Sequence, residues 1–326
     1  MEFKPSYSLN ILDDAAFTQG MAQIRSRLDA CRVSGYFTGT ADAQIYYEYF
    51  PVENARGSVV LLHGMSEFTC KHYELAYYLM EQGYSAFLYD HRCHGYSQRL
   101  TDNDQVIHVE HFSDYVRDLH IFVEQIVLPA ANGPMYLYGH SMGGAVSLFY
   151  LAEHPEVFQK AVLSAPLFVP HLPVPFPIAL VSAWCDTTFR GAKSKLSHSR
   201  DFVAKMPPEW EQDPRCSRNR HMMQLRLDDP HYRTTPMSAR FALRALYLTP
   251  KLLRIAKKIR VPHLLISGHA DTVVQTRPQA RFGRHSPLCT FVSVPEGKHA
   301  MMCDDAASAA VHTHLVLDFL KGDDSL

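Results

Sequence analysis

The sequence lacks an excess of either charge. Its 32 Lys and Arg stand against 33 Asp and Glu, for a formal net charge of -1. A near-neutral chain has no field that would gather nucleic acid or an anionic membrane as an obligate partner. It also lacks any run of about 18 apolar residues, so no segment reads as a membrane-spanning helix. The nearest candidate, PLFVPHLPVPFPIALVSAWC (166–185), is broken by five prolines and a histidine. Proline at that density does not sustain a helix interior. The first residues, MEFKPSYSLNILDDAAF, show no basic segment followed by a long apolar one, and so do not read as a signal peptide. Seven cysteines are an odd number in a chain long enough to fold without disulfide staples, and free thiols in a cytosolic protein are the simplest account. The 19 histidines are scattered, with none of the close-spaced Cys/His sets of a structural zinc site. Internal repeats and low-complexity tracts are absent too.

What is present is enough for a sizeable core: 326 residues, 47% of them hydrophobic. That length fits one large domain or a core with an insertion. Strand-like and helix-like stretches alternate. IYYEYF (45–50) alternates as a half-buried strand does, and GSVVLLHG (57–64) is a short apolar run ending in Gly. HYELAYYLMEQG (72–83) has helical spacing and a glycine stop. YSAFLYDHRCHG (84–95) returns to strand character. HFSDYVRDLHIFVEQIVLPA (111–130) reads as an amphipathic helix with Ser113 as N-cap and Pro129 as its stop. MYLYGHS is the next strand, MGGAVSLFYLAEHP the next helix, and KAVLSAP (160–166) another strand.

From about 167 to 255 the alternation lapses into a stretch rich in Pro, Arg and His, with ARFALRALYLTPKLLRIAKKI helical in spacing near its end. It resumes at VPHLLISG (261–268) and CTFVSVPEG (289–297) and closes on the amphipathic AASAAVHTHLVLDFLKG (306–322). Such alternation predicts a mostly parallel sheet with helices on both faces. The expected organisation is a core over 1–166 and 256–326, interrupted by a helical cap over 167–255. The first 40 residues read as helical decoration.

YLYGHSMGGA (136–145) places Ser141 between Gly139 and Gly143, where a strand ends and a helix begins. In that context G-x-S-x-G is a nucleophile elbow, a strained turn that exposes the serine hydroxyl. The glycines allow neighbouring chain to pass where a Cβ would clash, and the following helix N-terminus offers backbone N–H groups to developing negative charge. The bland alternative is a tight turn with an incidental serine. A serine needs a base, and the base a carboxylate to hold its tautomer. In chain order Ser, acid, His, the candidates are Asp271 in LLISGHADTVV (264–274) and His299 in VSVPEGKHAMM (292–302), each just past a strand. The competing readings are a loop or N-cap acid and a structural histidine. His269 sits too early for the base, and Asp304 and Asp305 read as the start of the last helix. For the oxyanion, the candidate backbone donors are Met142, after the nucleophile, and Met65, in the loop after VVLLHG. His63 reads as a residue that orders that loop.

These motifs together resemble the alpha/beta-hydrolase superfamily, in the branch of bacterial lysophospholipase L2 and monoacylglycerol lipases. HGMSEFTCKHYELAYYLMEQGYSAFLYDHRCHGYSQRL looks like the branch's oxyanion loop, first helix and DHRGxGxS segment; HFSDYVRDL resembles the helix that follows. GHSMGGA, GHADTVV and EGKHAMM stand where its elbow, acid and histidine loops stand. HSRDF and RNRHMMQLRLDDP are closer to lysophospholipase L2 than to the animal lipases. The resemblance spans nearly the whole chain. It implies an alpha/beta-hydrolase fold with an inserted cap, and an esterase that takes one acyl chain from a lysophospholipid or monoacylglycerol without metal or cofactor. One departure is Cys93, where the branch has Gly; Arg92 and His94 read as residues tying that loop down.

In such enzymes the cap shapes the acyl pocket. FVPHLPVPFPIALVSAW (168–184) is expected to line that pocket, to rest peripherally on a membrane or micelle surface, or simply to pack the cap on the core. Arg215, Arg218 and Arg220 could meet a phosphate head group, set against the plainer expectation that they are solvated or pair with acids such as Asp228 and Asp229, and they are not assigned as a site. Two other functions stay open at this point. An aminopeptidase or amidase of the prolyl iminopeptidase type would share fold and triad but need cap acids for the substrate amine, with Glu209 and Glu211 among the few candidates. A catalytically silent binding protein would be expected to have lost one of the three side chains.

Overall fold

The short apolar runs become β1 (Val33–Thr38), β2 (Gln44–Phe50), β3 (Gly57–Leu62), β4 (Tyr84–Tyr89), β5 (Met135–His140), β6 (Lys160–Ser164), β7 (His263–Gly268) and β8 (Cys289–Val294). In this computed structural model, which describes residues 9–211 and 213–322, they form one sheet ordered β1-β2-β4-β3-β5-β6-β7-β8. β1 and β2 are antiparallel to each other, and β2 to β4; every later pairing is parallel. Every residue of β3, β4 and β7 is buried. That is why their sequences run apolar without alternation: a parallel sheet covered on both faces has no wet side.

The helices that cover it are α1 (Phe17–Cys31), α2 (Tyr73–Glu81), α3 (Ser113–Phe122), α4 (Met142–Glu153), α5 (Phe176–Cys185), α6 (Ser217–Asp228), α7 (Ala239–Leu246), α8 (Leu248–Ile255), α9 (Thr276–His285) and α10 (Ala306–Lys321). Alternate strand residues assign them to faces. Val60, Leu62, Phe87 and Tyr89 point into one apolar layer with α3, α4, α8 and α9. Val59, Leu61, Ala86 and Leu88 point into the other with α1, α2 and α10. α1 reaches its layer because Phe17, Met21, Ile24 and Leu28 recur at helical spacing on one buried face.

The doubly covered, mostly parallel sheet agrees with the pattern read from the sequence. Two local expectations do not. The first 40 residues are not all helical, since residues 33–38 form edge strand β1. Only Phe37 of β1 is buried, so the strand carries no apolar rhythm to announce it. Ser113 does not cap its helix: Phe112 holds the N-cap position, and the His111 N–H is taken instead by Asp114 at 3.1 Å. α3 then continues through a π-helical turn, Val123–Val127, to Leu128–Ala130.

Between β6 and β7 no described residue joins the sheet as a strand, and α5 to α8 occupy that stretch. α5 rests on α7 through a small cluster of Ala183, Ala242, Leu243 and Leu246. Leu248 and Leu252 of α8 instead pack into the main layer beside α4. The helical-looking run over 239–259 is thus two helices, parted at Tyr247. All seven cysteines are free thiols.

Candidate active site

At the end of β5 the chain turns through Ser141, whose φ of 51° and ψ of -113° lie in a region that costs a non-glycine residue about 1–3 kcal/mol. The turn is held from both sides. The Ser141 N–H donates to the Ser164 carbonyl at 3.0 Å, and its own carbonyl accepts from Leu167 at 2.9 Å. The flanking glycines are needed sterically: a Cβ on Gly139 would lie 2.7 Å from the Gly143 carbonyl oxygen, and one on Gly143 2.5 Å from that of Leu62. The hydroxyl therefore sits at the carboxyl edge of the parallel strands, at the start of α4, with the residue only 7% exposed.

Strands β7 and β8 end on the same edge and deliver the other two groups. The His299 Nε2 lies 2.9 Å from Ser141 Oγ, and its Nδ1 lies 2.8 Å from Asp271 Oδ2. Asp271 Oδ1 accepts the N–H groups of Val273 and Val274 at 2.7 and 2.9 Å. A carboxylate only accepts, so Nδ1 carries the proton and Nε2 is left to accept from the serine. Burial lowers the His299 pKa below the ordinary imidazole value, with the Asp271 hydrogen bond opposing it. Burial disfavours the Asp271 carboxylate, but the bonds from His299 and the two amides outweigh it and hold its pKa below the usual value. A neutral base and an ionised acid are the forms that proton abstraction from a serine requires. Asp305, by contrast, caps α10 by accepting from Ser308, and Asp304 pairs with Lys298 at 2.6 Å.

The loop after β3 presses against Ser141. A Cβ on Gly64 would stand 3.0 Å from the Ser141 Cβ, and Met65 follows directly. Ser66 turns the chain with a φ of 60°. His63 has both ring nitrogens committed, Nδ1 donating to the Gly64 carbonyl at 2.8 Å and Nε2 accepting the His91 N–H at 2.9 Å. It orders the loop. His94 does the same from its own side, with Nε2 accepting the Ser66 N–H at 3.2 Å. Arg92 grips Asp118 with two hydrogen bonds of 2.7 Å, the fork geometry that arginine favours. Cys93 has a φ of 63° and is wholly buried, a left-handed conformation that glycine adopts freely. Burial raises its thiol pKa, which removes thiolate reactivity.

Two residues to which the sequence reading gave no role complete the site. Glu67 Oε2 accepts the Gly64 N–H at 2.7 Å and bonds His140 Nδ1 at 3.1 Å, and Oε1 pairs with Lys71. His140 in turn places Nε2 3.1 Å from the His299 carbonyl oxygen. One buried carboxylate thus ties the loop beside Ser141 to the backbone of His299. Burial alone would raise the Glu67 pKa, yet His140 and Lys71 hold it well below the ordinary carboxylate value. Glu67 follows Gly64 by three residues and His140 precedes Ser141, so both lie inside motifs already in view, but nothing local pairs one with the other.

The three arginines weighed as head-group ligands are committed elsewhere, though not to Asp228 and Asp229. Arg215 pairs with Asp213, Arg220 donates to the carbonyls of Trp210 and Asp213, and Arg218 pairs with Glu74 and Asp14. Asp228 takes Gln224, and Asp229 takes His231 and Tyr96. They are exposed or half-buried at the end of α6, out of reach of arginines bonded further up the chain. Among the described residues no group of three or more His, Cys, Asp or Glu is placed to hold a metal ion.

The family described as serine aminopeptidase, S33, matches residues 53–306. Lysophospholipase L2 of Escherichia coli (strain K12) is 30% identical over 94% of this chain and 92% of its own length. Monoglyceride lipase of Homo sapiens is 27% identical over 73% of each chain. The solved structure of a soluble variant of monoglyceride lipase from Saccharomyces cerevisiae, in complex with a substrate analog, superposes with a TM-score of 0.68 at 19% identity, covering 88% of this chain and 94% of that one. At that identity the likeness speaks for the fold, an alpha/beta-hydrolase sheet with its helices.

Proposed function

The chain belongs to the serine aminopeptidase S33 family of alpha/beta-hydrolases, and on that footing we propose that it is a serine ester hydrolase that removes the acyl chain from lysophospholipids or monoacylglycerols. The carrying observation is the unbroken relay from Ser141 through His299 to Asp271, at 2.9 and 2.8 Å. It stands in a chain that follows a lysophospholipase over nearly its full length. In the reaction His299 takes the Ser141 proton as Oγ attacks the ester carbonyl, and Asp271 steadies the imidazolium that forms. The Met142 N–H, in the first turn of α4, and the Met65 N–H, beside Gly64, hold the oxyanion. His299 then protonates the departing alcohol. A water, activated by the same nitrogen, releases the fatty acid and restores Ser141.

The family description names an aminopeptidase, but the cap does not favour one. Glu209 and Glu211, among the few candidate acids to hold a substrate amine, are both exposed. The stretch 167–255 acts in this reading as the cap. α5 turns Ile178, Val181 and Trp184 outward, each more than half exposed, with Phe189 beyond them at 77%. An apolar face of this kind supports peripheral contact with the lipid surface on which a mono-acyl substrate is presented. The protein would work from the cytoplasm, at the inner membrane surface. Among the described residues no helix is long and apolar enough to cross a membrane.

The test is release of free fatty acid by the purified protein from lysophosphatidylcholine, lysophosphatidylethanolamine and monoacylglycerol, with Ser141→Ala as control. Long-chain turnover that vanishes in the variant is expected, with a fall on the order of 10⁶ in kcat. Turnover retained by Ser141→Ala, or confined to amino-acid anilides, would overturn the reading.

A further inference from the structure

The inserted stretch is rich in arginine, and the structure sorts these side chains by what they already hold. Arg218 is wholly buried, with two acid partners and the carbonyls of Leu12 and Met302. Arg220 is satisfied by two carbonyls and Arg215 by Asp213. Arg226, near the end of α6, differs. It forms no ion pair among the described residues. One Nη2 hydrogen bond goes to the Ser66 carbonyl, and its other N–H groups have no protein acceptor among those residues. The guanidinium stands 6.0 Å from the Phe68 ring centre and 5.7 Å from that of Phe202. Two aromatic faces thus orient the planar fork without neutralising it.

Its position matters as much as its lack of a partner. Ser66 follows Met65, the proposed oxyanion donor, and lies two residues from the glycine pressed against Ser141. Arg226 also lines an open cavity of about 440 Å³ together with Phe202, Val203, Met206 and Met223. Charges around it do not cancel its own. Asp201 on the rim is taken by Lys195 at 2.8 Å, and the exposed Lys205 and Glu209 offset each other. Glu67 is the carboxylate whose charge reaches Arg226, and it is already shared by Gly64, His140 and Lys71. Burial pulls the guanidinium pKa below its usual value, with Glu67 opposing. Even so, an arginine stays charged in proteins. A partly buried, always-charged fork whose free donors open onto this cavity is placed to take an anion.

We infer that Arg226 binds the phosphate of the substrate's head group, so that the preferred ester is a lysophospholipid and not a neutral monoacylglycerol. This rests on the ester-hydrolase reading above. The phosphodiester would accept the free guanidinium N–H groups beside the oxyanion loop, with the acyl carbonyl between Ser141 and the Met65 and Met142 amides.

The experiment compares kcat and KM on lysophosphatidylcholine and on a monoacylglycerol of the same acyl chain. Both are presented in mixed detergent micelles at equal surface fraction, with wild type, Arg226→Gln and Arg226→Lys. A charge-assisted hydrogen bond implies a loss of roughly 10- to 100-fold in lysophospholipid kcat/KM for Arg226→Gln, mainly through KM. The monoacylglycerol figure should move less than about threefold, and Arg226→Lys should recover part of the loss, because the charge remains though the fork does not. A second arm titrates glycerophosphocholine, the head group without its acyl chain, into Ser141→Ala and into Ser141→Ala with Arg226→Gln. Binding should be measurable in the first and lost in the second. Equal loss on both esters would show that Arg226 only braces Ser66, and no loss on either would show that it is idle; each overturns the inference and leaves the hydrolase reading standing. A wild type that cleaves neither ester would instead overturn the hydrolase reading, and the titration arm would then decide the phosphate contact by itself.

Discussion

Around Ser141, polar side chains are sealed in: His63, His91, His94, Asp90 and His140 are each no more than 3% exposed. Along α5 the reverse holds, with Ile178, Val181 and Trp184 facing solvent at 51–59%. The first region places charge and hydrogen bonds where water is absent, and the side chains of His63, His94, Asp90 and His140 are each held by at least two hydrogen bonds. The second leaves apolar surface in water, held to the body by a small cluster on α7. The contrast separates two kinds of failure. Damage in the first region should cost rate, or stability when a buried charge is stranded. Damage on the outer face of the second should cost neither, but only productive meeting with a lipid surface.

After Ser141→Ala itself, the largest break is Asp271→Asn. The amide cannot hold His299 in the tautomer that accepts from Ser141, and kcat should fall roughly 10⁴-fold on any ester, micellar or dissolved. The pH profile gives a second reading. His299 must be neutral to act, and burial has lowered its pKa, so the acid limb of wild-type kcat/KM should lie below the ordinary imidazole value of about 6.5. Asp271 raises that pKa within the site. Its removal should therefore move the limb lower still while the plateau collapses. A limb above the ordinary value, or a loss confined to lipid substrates, would contradict this.

Glu67→Gln comes next and acts through position. It loosens the Gly64 loop and the His140 bridge to His299 together, and small displacements of reacting groups cost about 10²-fold. It also leaves Lys71, whose side chain is 17% exposed, without its carboxylate, and stranding a largely buried charge costs about 3–5 kcal/mol. The Glu67 pKa is depressed in the folded state. Its contribution to stability is thus fully present above the unfolded value of about 4.3, and is lost as pH falls from there through the lower folded pKa. Chemical denaturation should show wild type and variant far apart at pH 7 and converging under acid. A variant as stable as wild type at pH 7 would mean that Lys71 finds water or another acceptor.

Legibility in the sequence follows the same divide. Ser141, Asp271 and His299 could be picked out because each falls just past an apolar strand, in an order that the fold imposes, and because the glycines around Ser141 have a steric cause visible as spacing. The central strands were legible because burial on both faces leaves unbroken apolar runs. Edge strand β1 was not, since one buried residue makes no rhythm. Glu67, His140 and Arg226 were not either. What gives them roles is contact between residues 73 apart, as in Glu67 with His140, or 160 apart, as in Arg226 with Ser66, and no local pattern encodes such pairs. The same blindness left Arg218 beside Arg215 and Arg220 as a possible phosphate contact, although it is the most deeply buried of the three.

The smallest effect expected is on the outer face of α5, and it is the one that most sharpens the contrast. Ile178, Val181 and Trp184 project away from the cluster of Ala183, Ala242, Leu243 and Leu246 that fixes the helix. Replacing all three by serine removes no packing from the protein's own core. Surface substitutions of this kind usually change stability by less than about 0.5 kcal/mol each, and a dissolved short-chain ester should be cleaved at the wild-type rate. On a lipid surface the three side chains can leave water, at about 1.5–3 kcal/mol for each one fully buried. Partial insertion, recovering about a third of that, would still amount to a roughly tenfold or greater difference in surface binding. Vesicle co-sedimentation and turnover of micellar substrate should therefore fall together, while short-ester activity and melting temperature stay put. If the dissolved ester suffers equally, the helix shapes the acyl pocket from within; if neither substrate suffers, its apolar face is covered by something other than lipid.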